Sequence, residues 1–386
     1  MIPYARQSIS SQDVDAVVEV LKSDWLTQGP TVPRFELAVA ERVGAEYAVA
    51  VNSATSALHV ACLALELGPG DRLWTSPNTF VASANCALYC GADVDFVDIN
   101  PRTYNMSVES LAAKLEGAER LRTLPKVLVP THFAGQSCEA EAMHTLAKRY
   151  GVKIIEDASH AIGGLYRDLP VGNCAYSDIA VFSFHPAKII TSGEGGMALT
   201  NNRTLAESMR RLRTHGITRD RAQMLGPIDG IWSYEQHELG FNYRMTDIQA
   251  ALGLSQHSRI AEFVSRRREI ARIYDEALAS LPLILPFQHP DTASAFHLYV
   301  VKIDPARTSI DRSTLFDAMR AAGINVNVHY IPVHTQPYYK RKGFRHGQYP
   351  EAEAYYSHAL SLPMFATLRD DDIGRVVATL RAEFMK

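Results

Sequence analysis

The sequence is short of several features, and each shortage narrows what the chain can be. Its 386 residues include five cysteines, an odd number scattered as Cys62, Cys86, Cys90, Cys138 and Cys174. They form no CxxC pair or Cys/His cluster suited to zinc, and a core this large needs no disulfide framework. Cys86 and Cys90 share one face of a predicted helix, a spacing that suits core packing. No apolar run is long enough to span a bilayer, and MIPYARQSIS lacks the apolar centre of a signal peptide. Neither sign of charge dominates: the formal net charge is −3, which gives no broad attraction to nucleic acid. GxGxxG, P-loop, HExxH and GxSxG patterns are absent, which disfavours dinucleotide, ATP, zinc-protease and α/β-hydrolase chemistry. Internal repeats and low-complexity tracts are missing too. The expectation is a soluble, cytoplasmic protein with no metal, nucleic-acid or membrane partner.

What is present is ordinary in composition and ordered in pattern. Hydrophobic residues make up 47% and charged residues 21%, values of a folded globular chain, and the length suggests two domains. After a predicted helix at Ser11–Lys22 and a turn at Gln28-Gly29-Pro30, a strand–turn–helix rhythm begins. Tyr47–Val51, Arg72–Thr75, Asp93–Val97, Lys126–Pro130, Val152–Ile155, Ile179–Phe184 and Met197–Leu199 read as strands. Helices are expected from Asn52–Thr55 to about Leu67, at Phe80–Cys90 and at Glu139–Tyr150. This alternation predicts an α/β layer structure around a mostly parallel sheet. Beyond Thr200 the pattern changes. A helix at Arg203–His215 leads to a Gly/Pro-containing loop, then to a long helical stretch, Thr246 to Leu281, with a break. Its Arg266-Arg267-Arg268 run reads as one solvated face. A strand at His297–Ile303, a helix at Asp311–Ala322, a strand at Asn325–His329 and helices at Pro350–Leu360 and Asp370–Phe384 complete the chain. The expected division is a large α/β domain, residues 1–252, and a smaller α+β domain, residues 253–386.

In parallel sheets ligands bind outside the carboxyl ends of the strands. That rule singles out three segments. Asn52-Ser53-Ala54-Thr55-Ser56 lines a strand-to-helix junction with hydroxyls, a geometry that serves either an N-cap or a phosphate site. Asp157, after the strand Val152–Ile155, is either a helix cap or a carboxylate for a protonated heterocyclic nitrogen; His160 follows three residues later. Lys188, in SFHPAKIITSGEGG, leaves an apolar strand for a glycine-rich turn. A lysine partly removed from water loses basicity and becomes a nucleophile able to form a Schiff base. An Asp, a later Lys and an earlier Ser/Thr-lined helix start are together the parts of a pyridoxal phosphate (PLP) site, in which the Asp keeps the pyridinium protonated. Ser183 adds a second hydroxyl near the lysine.

WLTQGPTVPRFE, VNSATSALHVA, SPNTFVASANCALYCGADVDFVDI, PTHFAGQS, IIEDASHAIGG, SFHPAKIITSGEGG and GFNYRMTDIQAALGLSQ occur in that order along the chain. With these motifs the sequence resembles the DegT/DnrJ/EryC1/StrS sugar aminotransferases, within the fold-type I (aspartate aminotransferase-like) PLP enzymes. DASHAIG, FHLYVV and NVHYIPVH look most like the branch acting in pseudaminic acid synthesis. The resemblance implies that Lys188 attaches the cofactor covalently and shuttles the proton, and that Asp157 pairs with the ring nitrogen. It implies that Phe80 stacks on the ring with His160 nearby, where many relatives have Gln. Ser53, the Ala54 N–H, Thr55 and Ser183 would hold the phosphate. Asn242 would reach the phosphate from a neighbouring subunit, implying a homodimer with shared active sites. His329, Tyr330 and, less strongly, Arg244 are the candidates for the nucleotide sugar. The implied reaction moves an amino group from L-glutamate to C4 of a UDP-4-keto-6-deoxy-N-acetylhexosamine. A different nucleotide keto-sugar is the nearest alternative. A PLP-dependent sugar dehydratase is disfavoured by the retained Lys188, and a PLP-binding regulator by the lack of a basic DNA-binding module.

Overall fold

A computed structural model describes residues 1–385. At its centre lies a seven-stranded sheet made of β1 (Tyr47–Val51), β2 (Arg72–Thr75), β3 (Asp93–Phe96), β4 (Val127–Val129), β5 (Lys153–Asp157), β6 (Ile179–Ser183) and β7 (Gly196–Thr200). The spatial order is β1-β7-β6-β5-β4-β2-β3. Pairing is parallel from β6 through β5, β4 and β2 to β3, while β7 runs antiparallel to both β1 and β6. The expected mostly parallel α/β architecture is therefore present. Strands such as Ile179–Ser183 are buried along their whole length, as a sheet covered on both faces requires. All strands but β7 end at one edge of the sheet, and β7 begins there.

The helices of this unit are α1 (Ser11–Lys22), α2 (Thr31–Val43), α3 (Ala54–Ala64), α4 (Ala82–Tyr89), α5 (Val108–Leu121), α6 (Ala140–Tyr150), α7 (Arg203–Leu212) and α8 (Asp247–His257). Two of them, α2 and α5, were not expected from the sequence. The start of α2 carries no local side-chain cap. The first of its free N–H groups, Thr31 N, is met instead by Asp247, whose carboxylate also accepts from Gly29 N just before the helix, at 2.8 Å each. A cap supplied from more than two hundred residues away leaves no local signature. Helix α5 does carry one, with Ser107 accepting from Ser110 N and Leu111, Leu115 and Ala118 buried at helical spacing.

The long helical stretch breaks as expected, between α8 and α9 (Ile260–Leu278). Three further expectations are corrected. Arg267 is not on a solvated face: it is 2% exposed, and its Nη1 donates to the carbonyls of Phe296, His297 and Met364 at 3.2, 3.2 and 3.0 Å. Burial lowers its guanidinium to about pKa 10. Residues Asn325 to His329 form no strand; isolated bridges join Ile324 to Ile2 and Asn327 to Ser361. The helix from Pro350 stops at His358, because Ala359–Leu362 pairs with Tyr299–Ile303 in a three-stranded antiparallel sheet completed by Leu283–Ile284.

That small sheet packs under α9 and the helices Arg312–Ala321 and Asp370–Phe384, with Tyr274, Tyr299, Leu315 and Val376 in its core. Residue 253 lies inside α8, which packs on α1 and α2. Along α9, Ile260, Phe263 and Val264 join the core of the large unit, and Ile270, Tyr274 and Leu278 that of the small one. We propose a domain boundary within α9 in place of residue 253.

Candidate active site

The edge where the strands end collects the polar residues in strand order. At β1, Ser53 caps α3, accepting from Ser56 N at 3.1 Å, and the Ser53 and Ser56 hydroxyls lie 3.0 Å apart. Next comes Gly196, the first residue of β7, paired with Val51 on one side and Ser183 on the other. A Cβ at Gly196 would lie 2.4 Å from Ser53 C and 2.5 Å from Ala54 N, so only glycine lets the α3 N-terminus sit this close to β7. Ser183, at the end of β6, is buried. The result is a helix N-terminus and the hydroxyls of Ser53 and Ser183 converging on one spot, which suits a phosphate.

Asp157 ends β5 and is buried. Its Oδ2 accepts from Ser83 Oγ at 2.5 Å, and its Oδ1 from Ser159 N at 3.2 Å. Lys188 follows β6 in a turn held by its own N–H to His185 O at 2.9 Å. Burial lowers its ammonium to about pKa 8, and the Asp157 charge opposes that shift. The Lys188 Nζ has no hydrogen-bond partner among the described residues, and part of the residue's surface stays open to solvent. It is a poised amine, with its pKa close to neutral pH.

A cluster of rings stands beside this pair. His160 Nδ1 accepts from Ala134 N at 3.3 Å, and Nε2 lies 3.1 Å from the Tyr330 hydroxyl. His297 lies against His160 with ring centroids 4.4 Å apart, its backbone carbonyl held by Arg267. His329 is bonded through Nδ1 to Ser361 Oγ at 2.8 Å and faces Asn327 Nδ2 through Nε2 at 3.4 Å. Burial pushes the His160 and His297 imidazoles well below their usual range and His329 to about pKa 3, with the nearby Lys188 charge acting in the same direction. Burial raises the Tyr330 phenol, which keeps it protonated. The cluster is therefore uncharged at neutral pH.

Of the residues picked out in the sequence, Lys188, Asp157, His160, His329 and Tyr330 form one electrostatically linked group. Phe80 stands at its rim, 58% exposed, with its ring 6.3 Å from that of Tyr330. Arg244 and Asn242 come from a segment that runs beside the end of β1. Their backbones bridge Val51 and Thr214, and neither side chain has a hydrogen-bond or ionic partner among the described residues. Sequence reasoning missed Gly196, Ser83, Thr79, Thr131 and His297. The hydroxyls Thr79 and Ser83 in NTFVAS were a readable signal, one turn apart at a strand-to-helix junction.

The family model for the DegT/DnrJ/EryC1/StrS aminotransferase family matches residues 7–381. The chain belongs to this family. A sequence relative is the Bacillus subtilis spore coat polysaccharide biosynthesis protein SpsC, 39% identical and covering 98% of this chain and 96% of SpsC. Among solved structures, Helicobacter pylori PseC, an aminotransferase involved in the biosynthesis of pseudoaminic acid, superposes with a TM-score of 0.89 at 30% identity, covering 100% of this chain and 99% of PseC. The PLP form of Streptococcus pneumoniae Spr1654 superposes with a TM-score of 0.88 at 27% identity, covering 99% of this chain and 98% of that one.

The protein is thus a PLP-dependent sugar aminotransferase with the fold of that enzyme class. Its residues fit the cofactor. The α3 N-terminus held close by Gly196 suits a phosphate, the buried Asp157 carboxylate suits a protonated ring nitrogen, and the unpaired Lys188 amine suits an aldehyde. Among the described residues no group of His, Cys, Asp or Glu could hold a metal ion, and no helix is long and apolar enough to cross a membrane.

Proposed function

We propose that the enzyme transfers the amino group of L-glutamate to C4 of a UDP-4-keto-6-deoxy-N-acetylhexosamine, giving a UDP-4-amino-4,6-dideoxy sugar for pseudaminic acid synthesis. The observation that carries this choice of sugar is the full-length likeness to PseC. The likeness to SpsC favours a second reading, in which the same reaction serves another nucleotide keto-sugar destined for a surface polysaccharide.

In this reading Lys188 is the cofactor lysine and the proton carrier. Bound PLP supplies an aldehyde carbon and a cationic ring that draws electrons from the substrate. With the cofactor bound, Lys188 Nζ would take the proton from the glutamate α-carbon and, when the keto-sugar follows, would deliver a proton to the sugar carbon that receives the amino group. Both half-reactions would use the same site, the oxo-acid leaving before the keto-sugar enters, so the kinetics should be ping-pong. Asp157 holds the proton on the ring nitrogen, Phe80 covers one ring face, and His160 stands beside it. Ser53, Thr55, Ser183 and the Ala54 N–H hold the phosphate. Tyr330, His329 and Arg244 contact the nucleotide sugar. His329 does so through its ring face, since Ser361 and Asn327 engage both of its nitrogens.

A homodimer with shared active sites belongs to the same proposal, with Asn242 reaching the partner's phosphate site. Supporting it, Asn242 is exposed, and the nearby segment 225–239 presents Leu225, Ile231, Trp232 and Leu239 to solvent at 70% or more. An apolar group of this kind usually has a covering partner. A cytoplasmic location follows from the expected nucleotide-sugar substrate.

The test is to incubate the PLP-loaded enzyme with L-glutamate and a panel of nucleotide keto-sugars, reading 2-oxoglutarate release and the mass of the aminated product. Amination of the UDP-4-keto-6-deoxy-N-acetylhexosamine in preference to the others supports the assignment. A clear preference for a 3-keto or GDP-linked sugar overturns it in favour of the second reading.

A further inference from the structure

Three buried hydroxyls run in a line that ends on Asp157. Ser83 Oγ donates to Asp157 Oδ2 at 2.5 Å, Thr79 Oγ1 lies 2.8 Å from Ser83 Oγ, and Thr131 Oγ1 lies 3.0 Å from Thr79 Oγ1. Ser83, Thr79, Thr131 and Asp157 are all at most 4% exposed. Each hydroxyl has a single proton, so the direction of the line is fixed. An ionised carboxylate only accepts, so Ser83 must donate to it. Ser83 then accepts from Thr79, and Thr79 from Thr131.

The usual reason for hydroxyls at such a position is helix capping, and it does not apply here. The N-cap of α4 is Val81, and no side chain bonds the free N–H groups of its first turn. The line also closes on itself. Thr131 forms a bridge with Asp157, and the next residue, His132, donates its N–H to Asp157 O at 3.0 Å. The end of β4, the start of α4 and the Asp157 side chain are thus held in one circuit. A buried carboxylate without donors tends to take up a proton, and a short charge-assisted bond opposes that. Aligned hydroxyls polarise one another and strengthen the final bond.

We propose that Thr131, Thr79 and Ser83 form a polarised hydroxyl relay that positions the Asp157 carboxylate and holds it as the anion that the cofactor's ring nitrogen requires. Ser83 is the positioning residue in contact with Asp157, and Thr79 acts through it. The proposal rests on the reading of Asp157 as the partner of the ring nitrogen. Of the two carboxylate oxygens, Oδ1 carries only the 3.2 Å bond from Ser159 N, so it keeps the freer lone pairs.

The test compares two ligands on the cofactor-free protein: PLP, and its 1-deaza analogue, in which carbon replaces the ring nitrogen. Affinities are measured by titration for the native chain, Ser83→Ala, Thr79→Val and Asp157→Asn. Losing a charge-assisted bond in Ser83→Ala is expected to weaken PLP roughly tenfold or more while leaving the analogue unchanged. Thr79→Val, which keeps Ser83 and the side-chain shape, is expected to give a smaller loss with the same selectivity. It keeps the proposal testable if Ser83→Ala does not fold. In the Asp157→Asn background neither change should have a further effect. Equal weakening of both ligands would assign the hydroxyls to packing alone, and unchanged PLP binding would remove their role; either result overturns the relay. Failure of the native chain to bind PLP would instead overturn the reading of the site, a distinct outcome.

Discussion

Tyr330 accepts a hydrogen bond from His160, and a third residue fixes its direction. Because Ala134 N–H donates to His160 Nδ1, the ring proton sits on Nε2 and points at the Tyr330 oxygen 3.1 Å away. The Tyr330 proton is then free to be given elsewhere. Tyr330 is held at its backbone too, where its N–H donates to Asn78 Oδ1 at 3.3 Å. A neutral imidazole orients a phenol, and the phenol is the donor available to a ligand.

Removing that phenol tests the arrangement. Tyr330→Phe leaves the His160 N–H without a partner in a buried site, which costs about 1–3 kcal/mol. That cost falls on stability, while losing the phenol as a donor to the ligand should separately lower kcat/KM roughly tenfold. Because burial keeps His160 neutral, the pH profile of the native enzyme should show no inflection near the ordinary histidine pKa, and the variant should show none either. An inflection near pH 6.5 that disappears in His160→Gln would contradict the neutral assignment.

Lys188 sets the pH behaviour instead. Its pKa falls from the usual 10.5 to about 8 because its ammonium is desolvated. The covalent reaction of PLP with the cofactor-free protein needs the free amine. Its rate, followed by absorbance, should rise with pH about a midpoint near 8. The sign for stability follows from the same numbers. Between pH 8 and 10.5 the unfolded chain binds more protons at this lysine than the folded chain does. Stability of the cofactor-free protein should therefore rise with pH across that window, and the cost of the buried ammonium should be present in full below it. Lys188→Ala should abolish transamination, the colour of the lysine-bound cofactor and this pH dependence together.

Arg267 marks where the sequence was legible and where it was not. The strand–helix rhythm and the sheet edge were readable, and with them the places of Ser53, Asp157 and Lys188 at or soon after a strand end, because local pattern carries strand ends. Arg267 was misread because its partners, the carbonyls of Phe296, His297 and Met364, come from segments remote in sequence. The start of α2 escaped notice for the same reason, its cap being Asp247. The strand expected at Asn325–His329 failed because that segment has a backbone bridge at Asn327 but no continuous ladder. What stays hidden in a single sequence is the long-range polar contact that replaces a local one.

The misread arginine supplies its own prediction. Arg267→Met keeps most of the side-chain volume but removes all three bonds to buried carbonyls. We expect a loss of about 2–4 kcal/mol, read as a lower urea midpoint with an unchanged slope. The loop carrying His297 should loosen first, seen as faster amide exchange around Phe296 and His297 than elsewhere in the small unit.

The phosphate cradle depends on a close approach that only glycine permits, and two glycines three residues apart separate the possible causes of damage. Gly193 has φ +81°, and a Cβ there would meet nothing within 4 Å, so Gly193→Ala introduces backbone strain alone. That strain is worth about 1 kcal/mol and should leave PLP affinity unchanged. At Gly196 the Cβ would instead meet the Ser53–Ala54 peptide, at 2.4 Å from Ser53 C and 2.5 Å from Ala54 N. Neither atom belongs to a flexible side chain, so the β1–α3 junction must move away from β7. We expect Gly196→Ala to lose about 1–3 kcal/mol of stability through overpacking. PLP affinity should fall by roughly tenfold or more, because the helix N-terminus and the Ser53 hydroxyl no longer meet Ser183 across the cradle. Equilibrium titration with PLP and with inorganic phosphate measures this directly. Both ligands should weaken together in Gly196→Ala, since the phosphate group is common to them. Weakening of PLP with unchanged phosphate binding would put the phosphate site elsewhere.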